Sequence, residues 1–377
     1  MARTVVAAAA RRRGRAPAGS GGADPERGRG AGAARVKETP LPSADRLRRI
    51  VGSFRGRRLL VLADLVADEF LYGRVQRVSR EAPVLILQYD GTDIRLGGGA
   101  NAVHNIRTLG GMPVPVGVLG GDDHGRRLRG LLRDTGISIR GVAIDPAYVT
   151  PVKTRILAGG VHSTKQQMVR IDKATRLPER SAARRAVLAS LRSMRERVDG
   201  VLVSDYGFGL LTSELVQAAV GLARRRRVPA TVDSRFALLG FRGMTAVTPN
   251  ESEVEAALGI TIGNDGRRLE SAGRMLLRRL RVKACLITRG SDGMALFEPG
   301  RPTLHVPIYG TDQVADVTGA GDTVIATFTL ALAAGATPVE ASLLANYAGG
   351  IVVMKRGTAT VSAAELEAAV ASDHARA

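Results

Sequence analysis

Short runs of apolar residues alternate with longer amphipathic stretches along the chain from about residue 46 onward. The runs have the length of buried strands, and the stretches between them repeat with helical periodicity, as at 181–197, 213–227 and 267–280. This alternation predicts βαβ units, and therefore an α/β protein whose mostly parallel sheet is covered by helices on both faces. The predicted strands are LLVLA (59–63), VPVGVLG (114–120), VLVSD (201–205), PATVD (229–233), TAVTP (245–249), ACLIT (284–288) and MALF (294–297).

Two regions depart from this pattern. Residues 70–95 and 152–172 alternate apolar and polar positions with a period of two, and neither contains a helical stretch. Together they predict a small antiparallel sheet that projects from the main one. Such a sheet could be a lid that excludes water from a transfer reaction. An ordinary pair of surface hairpins would give the same pattern.

Composition separates the start of the chain from the rest. Residues 1–45 are rich in Gly, Ala, Arg and Pro, and they contain nine Lys or Arg against four Asp or Glu. They lack hydrophobic periodicity, so we expect a disordered basic tail. Residues 46–377 are expected to form a single large domain with a sizeable core.

The formal net charge of +20 permits binding to nucleic acid or to a small acidic substrate. Aromatic residues make up only 3% of the chain and Trp is absent, so surfaces for stacking single-stranded bases are poorly supplied. Nucleic acid is therefore disfavoured as the main partner, and a nucleotide or sugar phosphate fits the charge equally well. A nucleic-acid-binding protein driven by the basic tail is the alternative.

Cys285 is the single cysteine, and it lies in the apolar run ACLIT. We expect it to be an inert core residue, and one cysteine excludes an internal disulfide or a cysteine-based zinc site. No apolar stretch reaches membrane-spanning length, and the basic cluster RRRGR follows the short apolar run at 4–10 instead of preceding it. We expect a cytoplasmic protein with neither a secretory signal nor a membrane partner.

The segment DVTGAGDTV, at 316–324, has the pattern of a catalytic turn. Gly319, Ala320 and Gly321 precede Asp322, and an apolar helical stretch follows. A helix start exposes unpaired backbone N–H groups, and glycines let an anion approach them closely. A carboxylate in the same turn could take a proton from an attacking hydroxyl, as phosphoryl transfer to an alcohol requires. Alternatively, the turn is structural and Asp322 only complements the helix dipole.

Further polar clusters have similar properties. In RLGGGAN, at 95–101, Gly98 and Gly99 would let the backbone approach a ligand, and Asn101 offers a donor and an acceptor to sugar hydroxyls; a plain loop with a helix cap is the alternative. Asn250 and Glu253 begin a helix, where they could hold the water shell of Mg²⁺ or form a capping box. Two more clusters are a glycine-rich strand–turn–strand at 287–297 and a helix followed by a polar turn at 344–362.

Taken in order, these motifs resemble the ribokinase-like (PfkB) family of sugar kinases over residues 57–370. The resemblance implies a three-layer α/β sandwich with a central, mostly parallel sheet and a small antiparallel β lid. Within the family, the chain is most similar to kinases of D-glycero-D-manno-heptose 7-phosphate, which would phosphorylate O1. This closer resemblance rests on DLVADEFLYGRVQRVSREAP (64–83), VKTRILA (152–158), QQMVRID (166–172), SDYGFG (204–209) and KRGTATVS (355–362).

The resemblance implies a role for each matching position. Asp322 would be the catalytic base, and the amides of Gly319, Ala320 and Gly321 would form the anion hole. The residues implied to bind the sugar are Asp68, Gly98, Gly99 and Asn101. Arg77, Lys153 and Arg155 are assigned to the distal phosphate of the substrate because of their place in the predicted lid. The residues implied around the nucleotide are Asn250, Thr288, Gly290, Gly293 and Asn346, and Asn250 and Glu253 would hold Mg²⁺ through water.

The resemblance also implies cofactors and partners. ATP and Mg²⁺ are the expected cofactors, and the family resemblance also permits a monovalent cation. We expect a homodimer that pairs through the lids. A nucleotidyltransferase acting next in the pathway would be a separate protein. The chain departs from the family at Phe208, Ser234-Arg235, Arg80 and Ala63-Asp64, of which Phe208 replaces a Lys. These departures leave open another sugar, sugar-phosphate or nucleoside kinase, or a non-catalytic binding regulator on the same fold.

Overall fold

The computed structural model describes residues 41–160, 165–310 and 315–374. The strands are β1 (Arg58–Ala63), β2 (Leu65–Val78), β3 (Leu85–Gly98), β4 (Met112–Gly120), β5 (Gly141–Asp145), β6 (Val152–Gly159), β7 (Gln166–Lys173), β8 (Gly200–Asp205), β9 (Ala230–Ser234), β10 (Ala246–Val247), β11 (Ala284–Thr288), β12 (Met294–Phe297) and β13 (Leu304–Val306). The helices are α1 (Ala44–Gly52), α2 (Gly99–Thr108), α3 (Asp123–Asp134), α4 (Ala182–Ser193), α5 (Ser213–Arg226), α6 (Glu251–Leu258), α7 (Gly266–Leu280), α8 (Ala320–Ala333), α9 (Pro338–Val353) and α10 (Ala363–His374).

The larger sheet has the strand order β13-β12-β11-β10-β9-β8-β1-β4-β5. Neighbouring strands from β11 through to β5 are parallel, and β12 and β13 add an antiparallel edge. Each predicted strand is present, although the run at 245–249 pairs over Ala246–Val247 only. The predicted central sheet, mostly parallel, is therefore confirmed.

Helices cover both faces of this sheet because its strands are apolar on both sides. Leu59 and Val61 of β1 face the layer that contains α2, α8 and α9, whereas Leu60 and Leu62 face the layer that contains α4, α5 and α7. All four side chains are fully buried. The three-layer sandwich is thus confirmed, and Cys285 lies in its core, where burial raises the pKa of the thiol.

The second sheet, which we call the lid sheet, has the order β3-β2-β6-β7. It consists of two antiparallel hairpins, β2 with β3 and β6 with β7. The hairpins join through a parallel pairing of β2 with β6, a detail that the predicted antiparallel sheet lacked. The lid strands start close to the main sheet, since β2 follows β1 after one residue and β3 leads directly into α2.

Residues 1–40 of the predicted tail lie outside the described residues. Helix α1 begins at Ala44, directly after the N-cap Ser43. Of the predicted lid, residues 161–164 also lie outside them. Across the described ranges, each helix is too short or too polar to cross a membrane.

Candidate active site

Acidic residues gather where the central strands end. Asp64 follows β1, Asp205 ends β8 and Asp233 is the penultimate residue of β9, so all three lie at the carboxyl ends of the strands. Parallel sheets place their ligand sites at this edge. The helix α8 begins here as well, with Asp322 in its first turn. The structure therefore brings the predicted base to the edge at which parallel sheets bind their ligands.

Asp322 is buried and accepts two side-chain hydrogen bonds. The hydroxyl of Tyr206 donates to its Oδ1 at 2.8 Å, and the amide of Asn101 donates to its Oδ2 at 3.2 Å. Burial raises the pKa of Asp322 to about 7, while the two hydrogen bonds act in the opposite direction. A carboxyl group with this pKa can exchange a proton near neutral pH.

The turn that carries Tyr206 is held by a second buried carboxylate, Asp64. Its Oδ2 accepts the backbone N–H groups of Tyr206 at 2.9 Å and of Phe208 at 3.1 Å. Gly207 lies between them with a φ of 78°, which favours glycine. Burial and the nearby Asp205 raise the pKa of Asp64 to about 6. This turn is therefore fixed from the end of β1.

The predicted anion hole forms the first turn of α8. Gly319 is its N-cap, and its φ of 77° suits glycine. A Cβ atom there would lie 2.5 Å from the Asn101 amide and 2.9 Å from Thr358, so the backbone is closely enclosed. The N–H of Ala320 donates to Val317 O at 3.2 Å, and this amide reaches an anion only if that turn opens. The anion hole stays a prediction.

The glycines before α2 are required by packing. A Cβ on Gly98 would lie 2.7 Å from the Val66 side chain, and one on Gly99 would lie 2.3 Å from Ala63. Asn101 is fully buried in α2, and its amide donates to Asp322 and to Gly319 O. Asn101 therefore lies against the predicted base, whereas the sequence predicted contacts with sugar hydroxyls.

The base of the lid sheet adds Asp68 to the site. Its carboxylate accepts from Nη1 of Arg155 at 2.5 Å and from the hydroxyl of Thr358 at 2.9 Å, and both side chains of the ion pair are buried. Lys153 is the register partner of Asp68 and donates to Asp172 at 3.2 Å. Both cations predicted from the 152–172 segment thus lie beside Asp68.

Arg77 lies far from this cluster. It is exposed near the outer end of β2, nine residues beyond Asp68. At about 3.3 Å per residue, the two positions are roughly 30 Å apart along the strand. The structure therefore does not bring Arg77 to the site of its own chain.

The predicted metal ligands form a capping box at the start of α6. Asn250 Oδ1 accepts the N–H of Glu253, and Glu253 Oε2 accepts the N–H of Asn250 at 2.9 Å. Burial raises the pKa of Glu253. Within the described ranges, the acidic, His and Cys side chains provide no group of three that could hold a metal ion. Two oxygen donors would suit a Mg²⁺ ion that keeps most of its water and binds phosphates, and this role stays a prediction.

The residues predicted around the nucleotide lie near the same edge of the sheet as the acidic residues, at the carboxyl ends of the strands. Thr288 ends β11 and forms a β-bridge with Asn250. Gly290 and Gly293 have positive φ in the turn to β12, and a Cβ on Gly293 would lie 2.1 Å from Val306 O. Asn346 of α9 donates to Pro307 O at 2.9 Å. The geometry is compatible with these assignments, which stay predictions.

Two contacts at the site were missed at the sequence level. The first is the hydrogen bond from Tyr206 to Asp322, and the second is the ion pair of Arg155 with Asp68. Tyr206 lies in the motif SDYGFG and Arg155 lies in the predicted lid, two segments that were identified from the sequence. These segments pointed to Tyr206 and Arg155, but a local motif does not reveal a carboxylate partner that lies far along the chain.

Comparison with known proteins identifies the family. The model for the "pfkB family carbohydrate kinase" matches residues 65–365. Bifunctional protein HldE of Geobacter metallireducens is 40% identical over 316 residues, which are 84% of this chain and 63% of that protein. The HldE protein of Caulobacter vibrioides is 38% identical over 330 residues, 87% of this chain and 66% of that protein. This chain thus spans somewhat less than two thirds of the first relative's length.

Solved structures agree on the fold. Arabidopsis thaliana ribokinase, complexed with ribose and ATP, has a TM-score of 0.63 at 20% identity and covers 85% of this chain and 99% of its own. Phosphofructokinase-2 from Escherichia coli, in complex with potassium, has a TM-score of 0.67 at 18% identity, with coverage of 84% and 99%. These structures confirm the expected ribokinase-like fold, and the family model over residues 65–365 confirms the phosphotransferase class. The chain belongs to the pfkB family of carbohydrate kinases.

Proposed function

We propose that this sugar kinase transfers the γ-phosphoryl group of ATP to O1 of D-glycero-D-manno-heptose 7-phosphate. The observation that carries the proposal is the buried Asp322, whose pKa is raised to about 7 at the start of α8. The order of the motifs, and their similarity to the heptose 7-phosphate kinases, supports this substrate. The HldE relatives, at about 40% identity, also support this substrate. Their chains are longer than this one.

In the proposed reaction, Asp322 accepts the proton of the attacking sugar hydroxyl. The hydroxyl oxygen bonds to the γ-phosphorus, while the bond from that phosphorus to ADP breaks and its electron pair leaves with ADP. The helix dipole and the amides of Gly319 and Gly321 would oppose the negative charge that develops on the phosphoryl group. Mg²⁺, when bound through Asn250 and Glu253, would neutralise charge on the phosphates.

The lid sheet supports a phosphorylated sugar as the acceptor. Lys153 and Arg155 lie on one face of β6, beside Asp68, at the end of the lid that is nearest to Asp322. Arg95 occupies the register position across from Asp68 on β3. A sugar held by Asp68 would thus lie beside three cations, each of which now pairs with a carboxylate and would exchange that partner for a distal phosphate.

A different sugar phosphate is the second candidate, and specific residues favour it. Phe208 stands where similar kinases have a Lys, and Arg235 stands in place of another Lys. The guanidinium of Arg235 lies over the ring of Phe236, which is 75% exposed. These positions lie beside the site turn, so they would alter sugar selection and leave the chemistry at Asp322 unchanged.

A screen for ADP release across sugar phosphates tests the proposal. It compares heptose 7-phosphate with ribose and with fructose phosphates, and ³¹P NMR identifies the phosphorylated oxygen of the product. We expect the largest kcat/KM for heptose 7-phosphate, with a 1,7-bisphosphate product. Asp322→Asn should lower kcat by about two or more orders of magnitude while ATP still binds. Larger kcat/KM for a different sugar contradicts the substrate, and full turnover in the variant contradicts the base.

A further inference from the structure

Tyr206 provides a contact to Asp322 that the family resemblance did not assign. Its hydroxyl donates to Oδ1 at 2.8 Å, and Asn101 donates to Oδ2, so each carboxylate oxygen receives one neutral donor. An ionised carboxylate has about four lone-pair sites, which leaves others free for a substrate hydroxyl. Two donors on the two oxygens also fix the plane of the carboxylate.

The groups around Asp322 make the hydrogen bond from Tyr206 important for the ionisation of this carboxyl. Among the described residues, Asp68 of β2, which is paired with Arg155, raises the pKa of Asp322. Asp233 of β9 also lies near and has its own pKa raised well above the usual value, mainly by burial. From α2, the contact is the neutral Asn101. Ionisation of the buried Asp322 is thus opposed by burial and by like charge, and neutral hydrogen-bond donors favour it.

Tyr206 itself stays protonated and fixed in place. Burial, Asp322 and Asp233 raise the pKa of its phenol well above the usual value, so it remains a donor across the working range of pH. Its backbone N–H is bonded to the Asp64 carboxylate at 2.9 Å. The orientation of the hydroxyl is therefore set from the end of β1 and from the glycine at 207.

We propose that Tyr206 is a positioning residue for the general base, because its hydroxyl favours the charged form of Asp322 and orients it to take the proton from the sugar. This inference rests on the proposed role of Asp322. Tyr206 acts through that carboxylate and takes no proton itself. When the hydroxyl is removed, the carboxylate loses one of its two donors, and its ionisation moves to higher pH.

The test compares kcat and KM of the full-length wild type, Tyr206→Phe and Tyr148→Phe between pH 5.5 and 9. Loss of a hydrogen bond to a charged group should move the acid limb of kcat up by roughly one pH unit. Tyr206→Phe would then be about tenfold slower at pH 6 and nearly as fast as the wild type at pH 9. Tyr148 is the control, since it is a buried tyrosine whose pKa is raised by burial and by Asp64 and Asp122, and Asp322 is not among the causes.

A readout without turnover separates this inference from the proposed reaction. Proteins labelled with ¹³C at the aspartate carboxyl are titrated by NMR, and Asp322→Asn identifies the signal of Asp322. We expect its midpoint to rise by roughly one unit in Tyr206→Phe and to stay constant in Tyr148→Phe. An unmoved midpoint, or a raised KM with an unmoved pH profile, overturns the positioning role. A shifted midpoint in a protein that phosphorylates no sugar leaves Tyr206 tied to Asp322 and contradicts only the proposed reaction.

Discussion

The burial of Asp322 has a consequence for stability that can be calculated. The pKa of this carboxyl is raised from 3.8 to about 7, with burial as the main cause. A raised pKa means that the folded state holds the proton more tightly than the unfolded state, so ionisation destabilises the fold. The penalty is absent below the unfolded pKa, grows through the interval from 3.8 to about 7, and is constant above it.

The magnitude follows from the two pKa values. One unit corresponds to 1.36 kcal/mol, so the penalty is about 4 kcal/mol at pH 8 and about 2 kcal/mol at pH 5. Asp322→Asn removes the titration. The new amide also faces the amide of Asn101, which adds a cost that does not depend on pH. The stability of Asp322→Asn relative to the wild type should therefore be about 2–3 kcal/mol greater at pH 8 than at pH 5.

Urea unfolding of both proteins at the two pH values measures this difference, and the constant cost cancels. Asp134→Asn is the matched control, because this exposed carboxylate at the end of α3 keeps its solvent when the chain folds. The control separates the loss of a buried carboxyl group from the loss of a negative charge as such. If Asp322→Asn gains the same stability at both pH values, the carboxyl is not held protonated by burial and the electrostatic reasoning is wrong.

Two further predictions concern packing and charge near the site. Gly99→Ala should cost about 1–3 kcal/mol of unfolding free energy, because its Cβ would lie 2.3 Å from a side-chain carbon of β1. Gly130→Ala is its control, since a Cβ there meets nothing within 4 Å, and thermal denaturation compares the two; equal losses would contradict the packing argument. Arg155→Ala should cost about 3–5 kcal/mol because it leaves Asp68 buried without its cation, and adding Asp68→Ala should recover part of the loss in urea unfolding. Strictly additive losses would show that the pair is not coupled.

The central sheet could be predicted because its strands are buried on both faces. The run at 284–288 matches β11 at both ends, since consecutive apolar residues leave few alternatives to a buried strand. The edge strands β5 and β13 were not predicted. Most of their residues are half-buried or exposed, so their apolar runs are weaker. The parallel join of β2 with β6 was also missed, because it depends on a pairing between segments distant in sequence.

The site was predictable in its position and less so in its contacts. Asp322 could be identified because a glycine turn, a carboxylate and a helix start are consecutive in sequence. The contact from Tyr206 spans 116 positions and that from Arg155 to Asp68 spans 87, and local patterns carry no information on such pairs. Because local patterns do not show such pairs, Arg155 was assigned from the sequence to the substrate phosphate and not to Asp68. Its buried carboxylate partner becomes visible only in the folded structure.

The partners of the two buried carboxylates explain why one of them suits the role of base. Asp68 faces a guanidinium at 2.5 Å, so its negative charge is matched by a full positive charge. Within the described part of the chain, the side chains that donate to Asp322 are neutral, and burial raises its pKa to about 7. A carboxylate matched by a cation holds its charge and suits the binding of sugar hydroxyls, whereas one poised near neutrality can exchange a proton. The same lack of a cation that makes Asp322 costly to the fold thus makes it useful to the proposed reaction.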